Sequence, residues 1–237
     1  MKLKIYYIYV GILLLFACSP TYILQSHEGK VVAIQASADS TALAIIAPYQ
    51  NAIEEEMNEV LTFTTTELNK KGGESTLGNF VTDLCLNYAD AHMCVMNNGG
   101  LRTTIYKGNI TRGKLYELMP FENELVILEL DENDYLGLLN YISKRGGEPF
   151  SGISITITED GEIINYSQPV DFSKGEKVKV LTSDYLANGG DKMSFFQNKE
   201  QIKVGLKLRD AIIDYCSKTD TINVQLDGRL KIIENGK

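Results

Sequence analysis

Two glycine-rich stretches carry the residues best suited to binding chemistry, Asn97-Asn98-Gly99-Gly100-Leu101-Arg102 and Tyr185-Leu186-Ala187-Asn188-Gly189-Gly190-Asp191. Each sets pliable backbone beside one committed polar group. The Arg102 guanidinium is a planar fork that grips phosphate or carboxylate in bidentate fashion. Gly99 and Gly100 let backbone N–H groups approach the same anion. Tyr185 offers a ring to a flat ligand, and Asp191 accepts hydrogen bonds from hydroxyl groups. An Asp after Gly-Gly is also an ordinary turn residue. Phe121, fixed by Pro120 in Met119-Pro120-Phe121-Glu122-Asn123, is either a core residue or a stacking platform worth about 1–3 kcal/mol per base. Lys70 and Lys71 precede a helix start, where anions are favoured; a solvated charge pair is the plainer reading of them.

Composition excludes other chemistry. A dinuclear hydrolase site needs several His, Asp or Asn ligands converging on two ions. The chain has two histidines, His27 and His92, and neither neighbours an obvious ligand set. No Ser-His-Asp triad or Cys-His pair recommends itself. Net charge is −8 over 237 residues, which argues against a nucleic acid polymer as partner, since that needs a basic stripe. A single small anion remains allowed. Cys85, Cys94 and Cys216 form no CxxC pair and read as buried thiols, with one disulfide among them left open.

The surrounding elements follow from periodicity. Leu77, Phe80, Val81, Leu84, Cys85 and Tyr88 form a continuous helical stripe, which Ser75 or Thr76 can cap. Met93–Met96 reads as a buried strand that ends directly in the 97–102 loop, a place where ligand sites often lie. Strands are expected at Phe63–Thr66, Glu124–Leu130, Ile153–Thr158, Lys177–Leu181, Thr221–Leu226 and Arg229–Ile233. Helices are expected at Thr41–Leu61, with Glu54, Glu55 and Glu56 on the wet side, and at Asp134–Ser143. A last helix is expected at Lys199–Cys216, with Ile202, Leu206, Ile213 and Cys216 inward. The pattern is a mixed α/β domain.

The first residues carry two lysines, then an apolar run from Ile5 to Phe16, then Ala17-Cys18. This is the layout of a secretion signal, too short for a membrane span of about 20 residues. Leu15-Phe16-Ala17-Cys18 resembles a bacterial lipobox, so Cys18 is the expected lipidation site. The expected organisation is a signal peptide over 1–17, a tether over 18–40 and the α/β domain over 41–237. The expected location is a bacterial envelope membrane, periplasmic or outer-membrane associated, held by the N-terminal lipid.

Six segments in order resemble one family: Glu74–Asn79, Asn97–Arg102, Gly108–Thr111, Pro120–Asn123, Ser151–Ile153 and Leu186–Asp191. They are similar to the C-terminal, substrate-specificity domain of 5′-nucleotidases, and the likeness runs from about Asn51 to Ile233. The resemblance implies a four-layer α/β–β/α sandwich. It implies that the rings of Phe121 and Tyr185 sandwich a nucleobase, that Asn123 helps read it, and that Asp191 binds ribose hydroxyls. It places Arg102 on the phosphate, Asn97 and Gly100 in the first loop and Gly152 among the substrate contacts. A second phosphate-binding Arg of the family falls at Lys71, which cannot reproduce the bidentate fork. Tyr185 stands where Phe is usual, and Lys192-Met193 where Gly and an aromatic are usual.

The family's other domain, a metallophosphatase that binds two divalent metals, has no counterpart in these motifs. The chain is therefore expected to be a substrate-binding component working with a separate metallophosphatase subunit. No cofactor and no catalytic residue are expected in this chain, and the divalent metals are expected in the partner. The alternative is a non-catalytic lipoprotein that captures nucleotides or nucleosides for scavenging. A relic domain kept for protein contacts is a third.

Overall fold

A computed structural model describes residue 29 and residues 39–234. The leader, Cys18, His27 and most of the tether lie outside the described residues. Two compact units divide at Ile45/Ile46. The described part of the first is residue 29 and the opening turns of helix α1 (Ser40–Met57), which has no buried residue along its length. That helix ends before the expected Leu61, because Val60–Thr64 extends as strand β1 and pairs with β3 (Gly108–Thr111) and β10 (Thr221–Ile222). Cross-strand pairing prevails over helical spacing there.

The second unit is built on a five-stranded sheet. Its strands are β2 (Met93–Val95), β4 (Glu124–Leu130), β5 (Phe150–Ser151), β8 (Val178–Ser183) and β9 (Ile202–Lys207), and they lie in the order β5-β2-β8-β4-β9. Strand β2 runs parallel to β8, and β4 runs antiparallel to β8 from Leu125↔Ser183 to Leu130↔Val178. Successive side chains point to opposite faces, and both faces are covered. Cys94, Leu125 and Leu181 join one core, together with Leu77, Phe80 and Leu84 of α2 (Thr76–Leu86), Leu115 and Leu118 of α3 (Arg112–Leu118), and Ala211 and Ile212 of α6 (Leu208–Lys218). Met93, Val95, Val126, Leu128, Val178 and Val180 join the other. There they meet Tyr135, Leu138, Leu139 and Ile142 of α4 (Glu132–Lys144), with Ile155 and Ile157 of β6 (Ile155–Thr158). Strand β6 lies between β7 (Ile163–Tyr166) and β11 (Leu230–Ile233) in a second sheet, and β10-β1-β3 form the third.

Much of the local reading stands. Leu77, Phe80, Val81, Leu84 and Cys85 of the α2 stripe are buried, and Tyr88 is half-buried beyond the helix end. Ser75 rather than Thr76 caps the helix, its side chain accepting from the Gly78 N–H at 3.1 Å. Strand β4 has the expected bounds. Cys85, Cys94 and Cys216 are buried free thiols. The expected helix over Lys199–Cys216 is corrected: Ile202–Lys207 is strand β9 and only Leu208–Lys218 is helical. Ile202-Lys203-Val204-Gly205-Leu206 also alternates with period two, and pairing of β9 with the exposed edge of β4 decides between the periods. Ile202 is thus exposed, and the inward face of α6 is Leu208, Ala211, Ile212 and Cys216. Strand β3, beginning at Gly108 with φ 135°, and α3 after it lie outside the expected elements.

Among the described residues no helix is long and apolar enough to cross a membrane.

Candidate functional site

Three loops meet at one end of the five-stranded sheet. Parallel β2 and β8 both end there, feeding the 97–102 loop and the short helix α5 (Asp184–Ala187). Antiparallel β4 begins there, just after Phe121 and Asn123. A crevice beyond the carboxyl ends of parallel strands is where open α/β sheets bind ligands. Here Asn97, Gly99, Gly100, Arg102, Phe121, Asn123, Tyr185 and Asp191 line a single cleft of about 360 Å³, within the usual span of small-molecule sites, roughly 300–1,000 Å³.

The rings of this cleft are open to solvent, Phe121 at 41% and Tyr185 at 46% exposure. Large rings left outside a well-packed core are available to a flat ligand. Phe121 owes its place to Arg209 at the start of α6. The buried Arg209 guanidinium donates to the carbonyls of Met119 and Phe121 at 3.4 Å, pairs with Glu122, and lies 4.4 Å over the Tyr116 ring. The Leu208 N–H donates to the Asn123 carbonyl at 2.9 Å. The hydrogen bond from Lys207, and that from Arg209 after it, hold the Glu122 carboxyl down at about 2.

Tyr185 lies against a glycine by necessity: a Cβ on Gly190 would fall 2.5 Å from its ring. Its hydroxyl donates to Asp191 Oδ1 at 3.3 Å, and the same hydroxyl oxygen accepts the Asp191 N–H at 3.3 Å. The Asn97 amide donates to Asp191 Oδ2 at 2.5 Å. Asp191 and Lys192 both adopt left-handed backbone, φ 51° and 67°, which costs a residue with a side chain about 1 kcal/mol or more. Arg102 is exposed, and one arm of its fork donates to the Gly99 carbonyl at 3.1 Å.

Two residues of the expected set stand apart from this cleft. Lys71 is exposed and faces Glu67 at 3.9 Å. Its neighbour Lys70 turns toward the first loop instead, donating to the carbonyls of Asn98 and Leu101 at 3.1 and 2.6 Å. Gly152 also lies outside the lining. At φ 86° it lets β5 approach β2, where a Cβ would overlap the His92 carbonyl. Spacing alone gives no sign of Arg209, because its partner Glu122 is 87 positions away and Arg209 itself sits in none of the motif segments.

The cleft offers one carboxylate, Asp191, and no imidazole. Those residues do not fit a dinuclear metal centre. Among the described residues no three His, Cys, Asp or Glu side chains converge so as to hold a metal ion. The cleft can stack a flat ring, accept hydrogen bonds from hydroxyls at Asp191, and meet an anion at Arg102.

A profile of the family described as "5'-nucleotidase, C-terminal domain" matches residues 52–198. The chain is 26% identical over 222 residues to an apyrase of Tabanus yao, covering 78% of this chain and 40% of that protein. It is 26% identical over 164 residues to a 5′-nucleotidase of Vibrio vulnificus, covering 65% and 30%. The chain thus spans less than half of these relatives. Among solved structures, a 5′-nucleotidase precursor from Thermus thermophilus superposes with a TM-score of 0.67 at 25% identity, covering 83% of this chain and 44% of that one.

Proposed function

The chain belongs to the family of 5′-nucleotidase C-terminal domains, and from that premise we propose that its cleft binds a nucleoside monophosphate as the substrate-binding component of a 5′-nucleotidase. The observation that carries the reading is the convergence in one cleft of residues from three distant segments, 97–102, 121–123 and 185–191. In this reading the base lies between Phe121 and Tyr185, with Asn123 at its edge. Asp191 accepts from the ribose hydroxyls, and Arg102 grips the phosphate with the fork that Gly99 now holds. Binding exchanges the bonds that Asp191 makes to Asn97 and Tyr185 for bonds to the sugar.

Hydrolysis in this reading belongs to a metallophosphatase unit outside the described residues, on a partner chain, and the divalent metals belong there too. Lipidation at Cys18 would keep such a pair at an envelope membrane.

The test is calorimetric titration of the purified protein with AMP and adenosine, followed by phosphate release with and without a candidate metallophosphatase in manganese. AMP is expected to bind more tightly than adenosine, with Arg102→Ala erasing the difference. Hydrolysis is expected only with the partner. Absence of binding to either ligand would sink the reading. Binding that no partner converts to hydrolysis would replace it with capture of nucleotides for scavenging.

A further inference from the structure

The two walls of the cleft are joined from behind, by residues that do not line it. Glu148 follows α4 and is 1% exposed in its side chain. It accepts the Asn98 N–H at 2.8 Å, within the first glycine-rich loop. Its other oxygen pairs with Arg145 at the end of α4. The Arg145 guanidinium lies 5.2 Å over the Tyr141 ring. The Tyr141 hydroxyl then donates to the Asp191 backbone carbonyl at 2.8 Å, within the second loop. One run of contacts therefore passes from Asn98 through Glu148, Arg145 and Tyr141 to Asp191.

We propose that Tyr141, Arg145 and Glu148 form a positioning clamp that couples the two glycine-rich walls and sets Asp191 for hydroxyl recognition. The proposal rests on the cleft being the nucleotide site.

Different atoms of Asp191 are held by different partners. Its carboxylate is engaged by Asn97 and Tyr185, and these are the bonds an arriving sugar must displace. Its main chain is in left-handed geometry, which relaxes unless something retains it. Tyr141 retains it through the carbonyl, so the carboxylate is released to a ligand without the loop losing its shape. On the other wall, Asn98 is held through its N–H by a buried carboxylate, and charge-assisted bonds of this kind are among the strongest available. A buried Glu is costly without its partner, so Arg145 fixes Glu148, and the face of Tyr141 fixes Arg145. The turn after α4 is itself seated on the Lys70-Lys71-Gly72-Gly73 segment, so closely that a Cβ on Gly147 would overlap the Gly73 carbonyl.

Hydrogen–deuterium exchange of the unliganded protein, with peptides covering 97–102 and 185–193, tests the coupling without a ligand. Tyr141→Phe, which deletes one hydroxyl, and Glu148→Gln, which deletes one charge at constant shape, are each expected to speed exchange in both peptides by several-fold, beyond any change in peptides elsewhere in the chain. Exchange that rises only in the loop each residue touches would overturn the coupling. Calorimetry with AMP and its 2′,3′-dideoxy analogue then reads the consequence. Tyr141→Phe is expected to weaken AMP by about 3- to 10-fold, the worth of one positioning hydrogen bond, and to leave the analogue unchanged. Equal weakening of both ligands would mean a merely structural role and overturn the assignment. Wild-type protein that binds neither ligand would count against the nucleotide site and, with it, the hydroxyl-recognition role, while the exchange result still decides the coupling.

Discussion

Phe121 and Tyr185 stand half in solvent, so removing either ring should cost binding rather than stability. Each of Phe121→Ala and Tyr185→Ala is expected to lose about 1–3 kcal/mol of AMP binding, the worth of one base stack, with Tm nearly unchanged. A fall in Tm comparable to a core deletion would mean that the rings serve packing instead. Gly190 is a stricter point. A methyl there meets the Tyr185 ring at 2.5 Å and the Tyr185 carbonyl at 2.6 Å, so Gly190→Ala should displace ring and loop together and weaken AMP at least as much as Tyr185→Ala in calorimetry while the far-ultraviolet circular dichroism stays native. The residue types at these positions were legible in the sequence. The reason Gly190 must be glycine was not, because it depends on how the Tyr185 ring folds back over the loop that follows it.

The loop bearing Phe121 illustrates what an element contributes. Pro120 shapes it locally, but α6 holds it, through Arg209 and the Leu208 N–H. Glu122 is the electrostatic joint. Its carboxyl is held down at about 2, against an ordinary 4.5, by Lys207 first and Arg209 second. A depressed carboxyl stabilises the folded state fully above its unfolded value and loses that contribution as pH falls toward the folded value. The Tm difference between wild type and Glu122→Gln should therefore be constant above about pH 5, shrink between 4.5 and about 2, and vanish below. A difference independent of pH would show that the ion pairs do not anchor the loop. Elements differ in how far their sequence decides them. Strand β4 and helix α2 were plain, because a long apolar run or stripe admits one period. The segment from Ile202 to Leu206 admits two, and it is strand because β4 presents an edge that only a strand can pair with.

Two cores, one on each face of the central sheet, hold the molecule together, and the thiols report on the first of them. Burial pushes the Cys216 thiol up to about 12, and burial, with a hydrogen bond to the Cys85 thiol, raises Cys94 as well. Thiolates are the reactive form, and Cys85 is buried beside them, so in a Cys18→Ser chain all three thiols should resist a thiol reagent at neutral pH. Their exposure in denaturant should follow the loss of circular dichroism as one transition. Labelling that precedes that loss would reveal a locally opening face.

Composition and periodicity were enough for the mixed α/β class, the main periodic elements and the residue types of both glycine-rich loops. Each of these features has an ordinary structural use as well, and it is the order of six segments along the chain that resembles one family. It took the folded chain to show that Lys70 rather than Lys71 reaches the first loop. The same holds for Gly152, which serves strand approach outside the cleft lining, and for Arg209, Tyr141 and Glu148, which stand behind the site. These are long-range pairings between residues of ordinary type. Their meaning comes from contacts formed when distant segments meet, and no local spacing encodes which of two adjacent lysines will face the loop.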